Sequence, residues 1–186
     1  MWSINPWRIR TRTNKKFFTF WHINEYFKQN NLKKKDFTQR QIIEIILGLE
    51  DNLDVSWYTN PKFNYKQMEQ IRRGLFYGLD VSWYAKPEFN RHQMTTIYLG
   101  LRGNLDVSKY ADPKFSYRQM LAIRYGLFYG LDVSWYAKPE FDSFQMNEII
   151  SGLEKNLDVS KYADPKLSSE QMKKIRLDLE KDLSSS

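Results

Sequence analysis

The chain contains no cysteine. That excludes disulfide frameworks, thiolate zinc sites and cysteine nucleophiles. Histidine is nearly missing as well. His22 and His92 stand far apart, without partners at ligand spacing, so no metal site is expected. No apolar run approaches the roughly 18 residues that span a bilayer. The start of the chain is basic (Arg8, Arg10, Arg12, Lys15, Lys16), with no acidic residue before Glu25. It lacks the apolar stretch and small-residue cleavage site of a secretory signal, so the expectation is a cytoplasmic protein with no membrane partner. Glycine-rich phosphate loops, nucleophile elbows and zinc motifs are absent too. Together these absences point away from an enzyme, and neither a cofactor nor a small-molecule substrate is expected.

What is present describes a folded chain. Of 186 residues, 41% are apolar and 27% charged, an ordinary globular balance. Aromatics reach 16% and recur at fixed positions. The net charge of +7 is unevenly spread, because residues 1–52 hold 10 basic and 5 acidic side chains while 131–156 is net acidic. Such a distribution either steers an anionic partner to one end or is ordinary solvated charge.

The dominant feature is a repeat. Leu-Asp-Val-Ser begins at Leu53, Leu79, Leu105, Leu131 and Leu157, each start 26 residues after the last. Fixed-period self-similarity means stacked supersecondary units. Ahead of Leu53 the pattern fades, and Phe27 to Phe37 aligns with Leu53 to Phe63. Each unit predicts a long helix opened by a capping box: Thr38/Gln41, Asn64/Gln67, Asn90/Gln93, Ser116/Gln119, Asp142/Gln145 and Ser168/Gln171. Apolar residues then recur at i, i+3 and i+7, as in Met94, Ile97 and Leu101, which lays one stripe along the helix. Asn52, Gly78, Asn104, Gly130 and Asn156 follow as left-handed helix stops. Asp-Val-Ser-x-Tyr predicts a single helical turn capped by its Asp, and the next Pro ends it. Gly48, Gly74, Gly100, Gly126 and Gly152 sit inside the long helices, where Gly costs about 1 kcal/mol against Ala. The expected reason is close approach of a neighbouring helix backbone. In the last unit this position is Asp178, which reads as a terminal cap. The predicted architecture is an all-α short solenoid, with a divergent basic and aromatic cap over 1–36 and a repeat array over 37–186.

Two sets of residues are candidates for binding. Side chains that differ between otherwise alike units usually face a partner. One equivalent position holds Trp57, Trp83, Lys109, Trp135 and Lys161, and another region holds Phe76-Tyr77 and Phe128-Tyr129. These rings either seal seams between units or form protein hot spots or base-stacking platforms. Arg72, Arg73, Arg91, Arg118 and Arg124 lie on the variable face and either are solvated or read acidic groups. The second set is Arg8, Arg10, Arg12, Lys15, Lys16, Lys33, Lys34 and Lys35, interleaved in part with Trp2, Trp7, Phe17, Phe18 and Trp21. A cap helix, a nucleic-acid patch and membrane-surface contact are the readings open for that stretch.

The string Leu-Asp-Val-Ser-x-Tyr-Ala-x-Pro-x-Phe, followed by Gln-Met-x-x-Ile-x-x-Gly-Leu, resembles a repeat of bacterial phage and conjugative-element proteins. It is cleanest over residues 79–177. Residues 78–89 and 130–141 both read Gly-Leu-Asp-Val-Ser-Trp-Tyr-Ala-Lys-Pro-Glu-Phe, as duplication of a two-repeat unit produces. By association, the resemblance implies an inhibitor of host defence such as an anti-CRISPR protein. The expected function is therefore a protein-binding inhibitor or adaptor acting on a nucleic-acid-processing defence complex. The alternative is direct nucleic-acid binding through the basic start and the arginine face.

Overall fold

Each long helix begins where an oxygen-bearing cap side chain meets a glutamine three residues on. In the computed structural model, which describes residues 23–184, a first helical segment α1 covers 23–29. It is followed by α2 (Gln39–Glu50), α3 (Tyr65–Phe76), α4 (Arg91–Arg102), α5 (Tyr117–Phe128), α6 (Ser143–Glu154) and α7 (Ser169–Ser184). Thr38, Asn64, Asn90, Ser116 and Asp142 all form complete capping boxes. Ser168 and Gln171 exchange the same two bonds. The stops are also as expected: Asn52, Asn104 and Asn156 have φ near 55°, and Gly78 and Gly130 near 70°.

Between long helices the Asp-Val-Ser-x-Tyr segments form single 3-10 turns: Val55–Trp57, Val81–Trp83, Val107–Lys109, Val133–Trp135 and Val159–Lys161. Each is capped by the preceding Asp, whose carboxylate accepts from the Ser backbone N–H. At Asp106, Asp132 and Asp158 the serine bonds hold the carboxyl below its ordinary pKa, because they favour the charged form.

The chain divides into two compact units, Met1–Gly78 and Leu79–Ser186. Within the first, α2 packs on α3; within the second, α4 packs on α5, α5 on α6 and α6 on α7. No strand occurs among the described residues. Among the described residues the fold is all-α, and within each unit successive helices pack on one another in the manner of a solenoid. The first unit departs from the aligned register. Its 3-10 turn Lys34–Asp36 abuts Phe37, whereas a proline-containing turn separates Val55–Trp57 from Phe63.

The core is a repeated set. Met, Ile, Val, Tyr and Phe of successive units are buried, with Met94, Ile97, Tyr110, Met120, Ile123 and Tyr136 fully so. The internal glycines serve this set differently from the expected backbone approach. A Cβ at Gly48, Gly100, Gly126 or Gly152 would lie 1.8–1.9 Å from the hydroxyl of Tyr58, Tyr110, Tyr136 or Tyr162. The glycine makes room for the tyrosine of the following 3-10 turn, not for another helix.

The capping glutamines do more than cap. Gln119 accepts from the Ser116 N–H through Oε1, and its Nε2 donates to Pro139 O (3.0 Å) and Phe141 O (2.6 Å) in the next unit. Gln41, Gln93 and Gln145 do the same to the carbonyls of Pro61 and Phe63, Pro113 and Phe115, and Pro165 and Leu167. One buried side chain therefore starts a helix and ties it to the following repeat. Replacing Gln119 by Leu is expected to cost about 2–4 kcal/mol, since it removes a cap and leaves two carbonyls without their donor. Gln171→Leu, which loses only the bond that its Oε1 accepts from the Ser168 N–H, should cost about 1 kcal/mol. Urea unfolding of the two variants measures the difference, and equal losses would assign the whole effect to capping.

Candidate functional site

The outer face of α5 is unlike its siblings. Tyr117, Leu121, Tyr125 and Phe128 are exposed and recur at helical spacing, joined by Tyr129 at the C-cap. In register with Leu121, α4, α6 and α7 carry Thr95, Asn147 and Lys173, so within the second unit an apolar side chain here is specific to α5; on α2 of the first unit the position is Ile43, which is exposed as well. The rings gather at the helix end. Tyr125 and Tyr129 have centroids 4.5 Å apart, and Phe128 meets Tyr129 edge to face at 5.1 Å. Tyr125 is oriented by its hydroxyl, which donates to Glu154 on α6 at 2.6 Å. That bond favours the neutral phenol and pushes its pKa up to about 12. Beside the stripe an open cleft of about 340 Å³ runs between α5 and α6, lined by Arg118, Leu121, Ala122, Tyr125, Phe144 and neighbours.

The predicted aromatic residues separate into two kinds. Phe128 and Tyr129 keep 65% and 59% of their surface, and Phe76 and Tyr77 of the first unit keep 58% and 53%; these rings do not seal seams. Trp57 at 41% and Trp83 and Trp135 at 36% lie flatter against the chain, at the ends of their 3-10 turns. Leu121, Tyr125 and Phe144 were not singled out from the sequence. For Leu121 the available signal was an apolar residue at a position that is polar in the other repeats of the second unit.

The arginines also part company. Arg72 is tied down structurally: its Nε donates to Glu44 at 2.8 Å, and Asp51 lies 3.9 Å from it. Arg73 is exposed on α3. Arg124 is half-buried on α5, and its Nε is buried without a hydrogen-bond partner. Arg118 is exposed at the cleft, where its Nε donates to the Tyr117 hydroxyl at 3.3 Å. Helices α4 and α5 together contain Arg91, Arg102, Arg118 and Arg124 and no aspartate or glutamate.

Of the basic N-terminal set, Arg8, Arg10, Arg12, Lys15 and Lys16 lie outside the described residues. Lys33 and Lys35 are exposed, and Lys34 is half-buried in the 3-10 turn Lys34–Asp36. His92 is exposed and lies 5.3 Å from the Tyr117 ring. Among the described residues no three His, Asp or Glu side chains are grouped to hold a metal ion, and no helix is long and apolar enough to cross a membrane.

No family model, curated protein or solved structure matches the chain. The candidate site therefore rests on its own residues: an exposed aromatic stripe on α5, an adjoining cleft and an arginine-rich, carboxylate-free pair of helices.

Proposed function

We propose that this chain is a non-catalytic repeat protein that binds another protein through its exposed aromatic side chains. The observation that carries the reading is the stripe Leu121, Tyr125, Phe128 and Tyr129 beside an open cleft. Buried aromatic anchors dominate the energetics of protein interfaces, and contiguous exposed apolar surface marks interaction sites. Phe76, Tyr77 and Trp57 give the first unit a surface of the same chemistry, and Trp83 and Trp135 belong to that of the second. The resemblance of the repeat to phage and conjugative-element proteins extends the proposal to an inhibitor or adaptor acting on a defence nuclease in the cytoplasm.

Capture from a bacterial lysate, with and without nuclease treatment, tests this. One stoichiometric protein surviving nuclease is expected. The double variant Phe128→Ala, Tyr129→Ala should lose it while stability changes by less than about 1 kcal/mol, since both rings face solvent. Recovery of nucleic acid alone, released by salt, would sink the reading in favour of phosphate contacts by the basic residues.

A further inference from the structure

The 26-residue period places one ion pair in two of the described helix junctions and omits it from another. In the first unit Glu44 on α2 accepts from Arg72 Nε on α3 at 2.8 Å. In the second, Glu148 on α6 accepts from Arg176 Nε on α7 at 2.9 Å. The corresponding positions on α4 and α5 are Thr96 and Arg124. The arginine is kept and the glutamate is not. Thr96 cannot substitute for it, because its hydroxyl is turned back onto the His92 carbonyl of its own helix. Asp51, the second carboxylate near Arg72, corresponds to Gly103. Arg124 consequently forms no ion pair among the described residues, and its Nε is buried and unbonded. A half-buried guanidinium without a counter-charge is costly, and other repeats fill the same position with Ile46, Tyr98 or Ile150.

We propose that the half-buried guanidinium of Arg124 receives a carboxylate from an acidic segment of the partner protein, the group that Glu44 and Glu148 supply at the equivalent arginines. This rests on the reading of the chain as a protein-binding repeat. Charge complementarity selects the occupant. Arg91, Arg102, Arg118 and Arg124 share two packed helices that carry no acidic residue. The Leu121–Tyr125 stripe and the cleft beside Phe144 supply the apolar anchor points on the same helix. A carboxylate is favoured over phosphate because that is the group this arginine position binds twice within the chain, through Nε.

Selection of displayed random peptides on the immobilised full chain is the test. The expected peptides pair Asp or Glu with a neighbouring apolar or aromatic residue. As labelled synthetic peptides they should bind Arg124→Gln at least about tenfold more weakly, whereas Lys174→Gln, which removes the same charge elsewhere, leaves affinity unchanged. Thr96→Glu should also abolish binding, by supplying the missing carboxylate internally, and should melt no lower than the parent chain. Should that variant fail to fold, Arg124→Gln still decides. Peptides without acidic residues, an affinity indifferent to Arg124→Gln, or no peptides at all overturn the inference. So does a labelled single-stranded oligonucleotide that binds with the same dependence on Arg124. A lysate protein that needs Phe128 and Tyr129 but not Arg124 overturns this inference alone and leaves the protein-binding reading standing.

Discussion

Raising the pH through 10 is expected to unfold the protein cooperatively, before its buried tyrosines ionise in place. Tyr58, Tyr110, Tyr136 and Tyr162 have essentially no exposed surface, and burial pushes each phenol above the ordinary value of 10.0, Tyr162 to about 12. The folded state therefore keeps protons that the unfolded chain releases. The stability these groups hold is complete below pH 10 and falls as pH rises from there toward and through the raised folded values. Each such group lowers stability by up to about 1.4 kcal/mol per pH unit. Three of the four lie in the second unit, so it should lose about 4 kcal/mol per unit, and a domain's whole stability within a few units. Helical circular dichroism and tyrosinate absorbance followed together measure this. A component of the absorbance should rise as helicity is lost, and Tyr136→Phe should flatten the dependence by about a third in that unit. Helices that persist while the buried phenols ionise would contradict the burial argument.

The second large effect concerns Gly126. Alanine in the middle of an exposed helix ordinarily gains about 1 kcal/mol over glycine. At Gly126 the added Cβ would stand 1.8 Å from the Tyr136 hydroxyl and 3.0 Å from Val133 Cγ1. Neither neighbour has free space, since both are buried in the repeat core. The overlap outweighs the propensity gain, and Gly126→Ala is expected to cost about 2–4 kcal/mol net. That is a fall of roughly 5–15 °C in Tm for a chain of this size. Tyr136→Phe supplies the internal check. Its hydroxyl is buried without a hydrogen-bond partner, so removing it should change stability by less than about 1 kcal/mol. In the double variant the nearest remaining ring atom is at 3.1 Å, and about half of the loss should return. Tyr162→Phe is the contrasting case: its hydroxyl donates to Glu148 O at 3.2 Å, and losing that bond should cost about 1 kcal/mol. A double variant no more stable than Gly126→Ala would place the clash elsewhere.

How much of this was legible beforehand follows from the range of the interactions. Helix starts, stops and single-turn caps depend on neighbours within a few residues, and every capping box from Thr38 to Asp142 lies where the pattern puts it. The left-handed Asn and Gly stops are equally local. The purpose of Gly126 was not legible, because the atom it accommodates belongs to Tyr136, beyond the end of its own helix. Gln119 offered only its cap role to a local reading, since Pro139 and Phe141 enter its reach through the stacking of units. The register slip before Phe37 was hidden for a related reason: a faded repeat constrains the spacing of its 3-10 turn only weakly.

The candidate site divides along the same line. Phe76, Tyr77, Phe128 and Tyr129 were identifiable as variation within a repeat, because a residue that departs from its siblings is not needed by the shared core. Burial alone distinguished those open rings from the flatter Trp57, Trp83 and Trp135. Three arginines in identical register, Arg72, Arg124 and Arg176, cannot be told apart by their own positions. Two are held by Glu44 and Glu148, and for Arg124 the corresponding residue of the preceding helix is Thr96. The amino-acid sequence by itself determined the repeat, its helices and its caps, because those are set by backbone chemistry within one unit. Only the tertiary structure decided which side chains are sealed, shared or left without a partner, because those properties arise when one unit covers the next.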